Sequence, residues 1–472
     1  MLRQIVARRG VAEAWVAACL ASMMIAAAAF GTVDRRADRL AREAADRPRG
    51  LVEILPEPGY RYDAPPSIRV RLGRFRQRIT IESSGVDAAV ADVVGGAEAQ
   101  RIPAIKLFRL ELASGALKFS PDDGAPVTFR PGEAVRITPA GRRNWMRLAQ
   151  RRVEGSVVIR PHAGRGDDPG YFEVVAEMPI EQYLPGVLHG ELFASWSDDA
   201  YRAQAVAARS YALHEMEQSR QRGLSFDLEA SQVDQAYAGT DVPRRALEAA
   251  EATRGLVLET SDGEMLRAYY SSTCGGRAAS AAEIWPSAGR LAFNRAQPLQ
   301  PIAEEDGGWA PGDCPCSTPP NTAPLHRWQV ERPTSRFAER LRAWGTNAAH
   351  PVAKLGTLVS IEPIQTNAMG RPDHYRISDE AGKHADMLAD DLRVACNFSK
   401  GRLSPPGRKD RVQSNDLNFQ FLDKSVLIRG RGFGHGVGLC QYGAEGLARD
   451  GWRWRQIVER AYPSARLVRA YP

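Results

Sequence analysis

Glu191 closes an apolar stripe. Leu184, Val187, Leu188 and Glu191 stand at i, i+3, i+4 and i+7, one face of a helix. A carboxyl that continues such a stripe is partly desolvated, which raises its pKa and keeps it protonated near neutrality. That is the state a general acid needs. The competing reading is a glutamate at a fraying helix end, turned to solvent or paired with Arg202 or Arg209. The pattern alone leaves the two readings even. Pro185 either kinks or restarts the helix.

A second concentration of chemistry lies near the C-terminus. Gly430, Gly432, Gly434, Gly436 and Gly438 fall at every second position. In an extended strand this spacing strips one face of side chains and leaves Arg431, Phe433, His435, Val437 and Leu439 on the other. Repeated glycine marks the close approach of a ligand or of another backbone. Five in register around His435 and ahead of Gln441 are read as a groove for an extended substrate, with tight packing as the bland alternative. Ser272 and Thr273, before Gly275 and Gly276, either line the same groove with hydroxyls or form an ordinary strand-to-turn transition. His435 either orients substrate or holds the glycine strand by a backbone hydrogen bond. Gln441 and Arg209 are read as supporting residues of that binding face, and Tyr211 and Trp196 as core.

The chain has six cysteines. Cys314-Pro-Cys316 leaves one residue between sulfurs, a spacing too strained for an easy mutual disulfide. With Cys274 and His326 these two supply a Cys3His tetrahedron for structural zinc. The alternative is a disulfide from Cys274 to Cys314 or Cys316, natural in an exported protein. Cys396 and Cys440 are either a second pair or buried free thiols. No HExxH-type helix supports a catalytic zinc.

The elements that must position these groups are spread over 472 residues, enough for a sizeable core and for more than one domain. Hydrophobic content of 43% and charged content of 25% are those of an ordinary globular chain. The net charge of +7 is modest, and no basic stripe interleaved with aromatics argues for nucleic acid. Arg3, Arg8 and Arg9 precede an uncharged, Ala-rich apolar run from Trp15 to Phe30. Residues 1–33 therefore read as an export signal, either cleaved or retained as a membrane anchor. Residues 34–65 read as a linker ending in prolines. Alternation in Ser67–Glu82 predicts a strand pair inside a β-rich part at 66–160, with further short strands near 126–137 and 155–161. The remainder, 161–472, reads as the core that carries the candidate groups. In it a strand at Phe172–Ala176 leads into helical residues 179–217, and Ser197 offers a cap ahead of Asp198 and Asp199. A Pro/Gly-rich excursion covers 286–326, mixed strands and a short helix follow at 355–394, and helices at 441–449 and 454–462 close the chain. Strands and helices lack a regular βαβ rhythm, so the expected class is α+β, with a smaller inserted or flanking β-rich domain.

Several of these segments carry a resemblance. Tyr183-Leu-Pro-Gly-Val-Leu-His-Gly-Glu191, Ser195-Trp196, Ala203–Leu213, Tyr270-Ser-Ser-Thr-Cys-Gly-Gly276 with Glu283 and Trp285, and Gly430–Ala444 look like motifs of the stage II sporulation protein D family, in the same order. The resemblance spans roughly residue 66 to the C-terminus. It implies a lytic transglycosylase acting on peptidoglycan glycan strands at the outer face of the cytoplasmic membrane, in the periplasm or in the cell wall, and its catalytic glutamate falls on Glu191. The family usually has Glu-Met-Pro there, and this chain has Glu191-Leu192-Phe193. Some members carry a Cys/His metal site near the Gly-Gly segment. The related amidase-enhancer branch implies the alternative, a wall-binding protein that stimulates an amidase without cleaving glycan. A single carboxyl suffices for the transglycosylase reaction, whereas a hydrolase needs a partner such as Asp198, Asp199 or Glu283 beside Glu191.

Overall fold

The computed structural model describes residues 60–472 apart from 77, 84–89, 94–98, 102–106, 122–124, 140–144, 149–150, 165–169, 287–313, 318–322 and 464. The expected export segment, most of the linker and most of the Pro/Gly-rich excursion lie outside the described residues. Among the described residues no helix is long and apolar enough to cross a membrane.

Short alternating runs become strands where one face can be buried. In Ser67–Phe75, Ile68 and Val70 are fully buried while Ser67 faces solvent. This strand does not pair with Ile79–Ser83, as the alternation suggested. It lies between Tyr171–Pro179 and Leu228–Glu229 in a seven-stranded sheet, and Ile79–Ser83 lies in a separate six-stranded sheet beside Leu107–Ala113. Alternation identifies a strand but says nothing about its partner. The seven-stranded sheet also takes Ser156–His162, paired along its whole length with Tyr171–Pro179. Residues before and after 160 therefore share a sheet, and they share one hydrophobic core.

Tyr171–Pro179 runs directly into helix α1 (Ile180–Glu191), whose first amide is taken by the Pro66 carbonyl at 2.9 Å. Pro185 sits inside α1 and the helix continues past it. The expected helical stretch breaks at Leu192–Ser197 and resumes as α2 (Asp198–Gln221). Ser197 occupies the cap position, yet its side chain makes no cap; its backbone N–H donates instead to Glu445 at 2.7 Å. Arg244–Ala252 forms α3 and Ala281–Ile284 forms the short α4.

A second core lies within residues 327–431. It packs α5 (Thr334–Ala348) and α6 (Ala389–Cys396) against the sheets Leu358–Leu388 and Arg327–Arg431. The chain closes with α7 (Gln441–Arg449) and α8 (Trp454–Ala461), as the sequence suggests, and with a final strand, Arg466–Arg469, that it did not suggest. The interspersed helices and small sheets make the class α+β.

Candidate active site

Glu191 is the last residue of α1, and three segments meet its carboxyl. The Ala236 N–H donates to Oε1 at 2.7 Å, and the Gln441 side-chain amide donates to Oε2 at 3.0 Å. Tyr270 also favours the ionised carboxyl. The Tyr270 hydroxyl is itself buried and makes no hydrogen bond of ordinary geometry. Burial raises the Glu191 pKa, and the Ala236, Gln441 and Tyr270 interactions offset only part of that rise. Among the described residues no second carboxylate is hydrogen-bonded to Glu191 or contributes to the shift.

The approach of Ala236 depends on α1 having no side chains on one strip. A Cβ on Gly190 would lie 2.3 Å from the Ala236 carbonyl oxygen, and one on Gly186 would lie 2.4 Å from that of Gly239. The 236–239 segment therefore rests on the bare helix backbone, tied by Ala238 N–H to Gly186 O at 3.0 Å. Gln235 fixes the same segment by bridging the Tyr183 hydroxyl (3.1 Å) and the Ala208 carbonyl (3.0 Å). The contributions of Ala236, Gln235 and Tyr270 were not evident in the sequence. The spacing Gly186-x-x-x-Gly190 was the available signal for a close backbone against α1.

The competing reading, a pairing of Glu191 with Arg209 or Arg202, does not occur. Arg209 is fully buried and binds Glu181 in the first turn of α1 at 3.0 and 3.1 Å, as well as the Ala250 and Leu256 carbonyls. It anchors the helix rather than a substrate, because no part of it reaches solvent. Arg202 pairs with Asp199. The candidate partner carboxylates are also occupied elsewhere: Asp198 with Arg245, Asp199 with Arg202, and Glu283 in a reciprocal cap with Ser280. The acidic residue close to this region is Asp234, two positions before Ala236. Burial and the negative charge of Glu215 raise its pKa to about 6, against the opposing charge of Arg267.

The glycine run is packing, not a bare-faced strand. The strand Ser425–Arg431 takes in only Gly430 of the run, and Gly432, Gly434, Gly436 and Gly438 all have φ between +72° and +98°. Left-handed φ at alternate residues is incompatible with an extended strand, and only glycine adopts it at little cost. Their missing Cβ atoms make room for protein: the Thr273 carbonyl at Gly432, the Arg371 guanidinium at Gly436 and the Tyr269 carbonyl at Gly438. Gly275 and Gly276 are likewise buried in a turn, Gly275 against the Gly432 amide. Thr273 is 2% exposed and bridges to Phe433, so it lines no groove. Ser272 is half-buried, and its carbonyl accepts the Tyr442 amide at 3.1 Å.

His435 takes the backbone-holding role. Its Nδ1 accepts the Val437 N–H at 3.0 Å, and its ring packs against both Trp285 and Tyr269. Burial pushes its pKa down to about 3 despite the opposing charge of Asp390, so it stays neutral. No described contact joins it to Glu191. Tyr211 and Trp196 are core residues, as expected.

The Sγ atoms of Cys274, Cys314, Cys316 and Cys440 all lie within 4.8 Å of one another. Cys440 immediately precedes Gln441. His326, the expected fourth member, instead sits beside the cluster with Nδ1 3.7 Å from Cys316 Sγ. Cys396 is buried in the second core, apart from this group.

Residues 169–259 match the family model described as Stage II sporulation protein. That span holds Glu191, α2 and the Ala236 segment, but not Tyr270 or Gln441. Over 295 residues the chain is 26% identical to an uncharacterised protein of Brachyspira hyodysenteriae, covering 62% of this chain and 68% of that one. It is 25% identical over 307 residues to the amidase enhancer of Bacillus subtilis, covering 60% of this chain but only 40% of the enhancer. It is 22% identical over 311 residues to the stage II sporulation protein D of Bacillus subtilis, covering 63% and 76%.

Proposed function

We infer, for a chain that belongs to the stage II sporulation protein D and amidase-enhancer family, a lytic transglycosylase that cleaves peptidoglycan glycan strands with Glu191 as the sole acid and base. The observation that carries this reading is the desolvated Glu191 carboxyl, its pKa raised, with no second carboxylate among the described residues acting on it. In the first half of the reaction the protonated carboxyl donates to the glycosidic oxygen, and the bond from that oxygen to the anomeric carbon breaks. In the second half the carboxylate takes the proton of the sugar's own 6-hydroxyl as that oxygen bonds to the anomeric carbon. The product is a 1,6-anhydro end, the proton returns to Glu191, and no water is consumed. Gln441 and the Ala236 N–H hold both carboxyl oxygens in place through the cycle, and each oxygen keeps a lone pair for the proton. The half-buried rings of Phe193 and Tyr442, 6.1 Å apart, flank Trp196 beside this end of α1 and offer apolar faces to a sugar.

The second reading is a non-catalytic wall-binding protein that stimulates a cell-wall amidase. It is favoured by the likeness to the amidase enhancer and by Glu191-Leu192-Phe193 standing where the family usually has Glu-Met-Pro. Either function places the protein outside the cytoplasm, exported by residues 1–33 and held at the membrane where that segment is retained. Mass spectrometry of glycan strands incubated with the purified protein decides between them. Anhydro-muramic ends are expected. Intact strands, together with a stimulated amidase, would establish the second reading.

A further inference from the structure

We propose that Cys274, Cys314, Cys316 and Cys440 form a tetrathiolate site for a structural zinc ion, with His326 outside the coordination shell as a hydrogen-bond donor. A tetrahedron of thiolates at the usual ~2.3 Å from zinc sets neighbouring sulfurs roughly 3.8 Å apart. Cys274 Sγ and Cys316 Sγ are 3.7 Å apart, and the other sulfurs converge on the same point.

Hydrogen-bond donors and a guanidinium face the sulfurs. Cys440 Sγ accepts two backbone N–H groups, from Gly443 at 3.3 Å and Cys274 at 3.4 Å. The Arg460 guanidinium interacts electrostatically with Cys314, Cys274 and Cys440, and its Nη1 is buried without a hydrogen-bond partner. A half-buried cation beside neutral sulfur has little to offset its desolvation; beside the double negative charge of zinc with four thiolates it does. Gly443 belongs to the same design, because a Cβ there would stand 2.8 Å from Cys314 Sγ.

Hydrogen-bond geometry favours an outer role for His326. Arg327 Nη1 lies 2.8 Å from His326 Nε2, and a guanidinium can only donate. Nε2 is therefore the acceptor and Nδ1 carries the proton, pointing at Cys316 Sγ. A protonated ring nitrogen cannot ligate a metal, but it supports a thiolate ligand from outside the shell.

The site joins three parts of the chain that are distant in sequence. Cys274 follows the strand Tyr270–Ser271, Cys440 ends the strand Leu439–Cys440 that pairs with it, and Cys314 and Cys316 come from the far side of the excursion. Tyr270 and Gln441, which both act on Glu191, lie on those two strands and at the start of α7. Zinc thus fixes the backbone from which Gln441 reaches Glu191; this last step rests on the reading of Glu191 as the acid.

The test uses the purified full chain and zinc or cobalt(II) alone. Elemental analysis should find one zinc per chain. Cobalt(II) added to the stripped protein should give sulfur-to-metal charge-transfer bands of four-thiolate intensity. His326→Ala should keep one zinc and lose ~10- to 100-fold in affinity, the usual effect of an outer-shell partner. Cys440→Ser should reduce the cobalt bands to three-thiolate intensity or abolish binding. Disulfides found by mass spectrometry among these four cysteines of the native chain, or three-thiolate bands from the native chain, would overturn the proposal. Zinc bound as described without any anhydro product would leave the metal site standing and refute only the role of Glu191.

Discussion

Gln441 donates its side-chain amide to Glu191 across 250 residues of sequence, at 3.0 Å. The acid sits at the end of α1 and its partner at the start of α7. A carboxyl held this way keeps one orientation in both protonation states, because an amide donor can serve the ionised and the neutral oxygen alike. The arrangement therefore positions the acid in either charge state, and burial outweighs the hydrogen bond in setting its pKa.

Replacing the acid tests its role most directly. Glu191→Gln keeps shape and one acceptor for the Ala236 N–H, and removes the titrating proton. Glycan cleavage should fall towards the upper end of the ~10²- to 10⁴-fold range of general acid catalysis, because one group serves both half-reactions. Glycan affinity, measured by pull-down, should be retained. Undiminished formation of anhydro ends would exclude Glu191. The next candidate would then be Asp234, not Glu283, whose carboxylate is committed to capping α4.

The Gln441 hydrogen bond favours the ionised carboxylate and so lowers the Glu191 pKa. Activity that needs the protonated acid falls as pH rises through that pKa. Gln441→Ala should shift the alkaline limb of the pH–rate profile to higher pH while lowering the maximal rate, since the carboxyl also loses its alignment. An unmoved limb would mean that the limb belongs to another group.

The same burial links stability to pH. A carboxyl whose pKa is raised on folding holds its proton in the folded state after the unfolded chain has lost it. Glu191 therefore costs folded-state stability as pH rises from its unfolded value through its raised folded value. Glu191→Gln removes that dependence. Its thermal midpoint should match that of the native protein near pH 4 and exceed it increasingly at higher pH. Parallel curves for the two proteins would contradict a desolvated carboxyl.

Gly190→Ala places a methyl 2.3 Å from the Ala236 carbonyl oxygen, which is backbone and cannot swing away. The overpacking should cost ~1–3 kcal/mol in chemical denaturation. Cleavage should fall as well, because the displaced segment carries the N–H that holds Glu191. Loss of stability with unchanged activity would show that the Ala236 contact is dispensable.

Much of this protein was legible in its sequence. The i, i+3, i+4, i+7 stripe ending in Glu191 places its carboxyl on the apolar face of a helix, because helical periodicity alone sets which residues share a face, but it leaves a desolvated acid and a solvent-turned glutamate even. The closing helices and the short strands of the second core follow from the same local periodicities. The glycine run shows where local pattern stops. Glycine at every second residue fits both a bare-faced strand and a chain of left-handed turns, and only the neighbours at Tyr269, Thr273 and Arg371 select the second. Partners were equally hidden. Ser67–Phe75 and Ile79–Ser83 are consecutive yet belong to different sheets, and the thiol cluster takes Cys440 from the other end of the core in place of the nearer His326. Periodicity is a property of a few neighbouring residues, whereas pairing and convergence depend on how distant segments bury their faces together, and that is decided only when the whole chain packs.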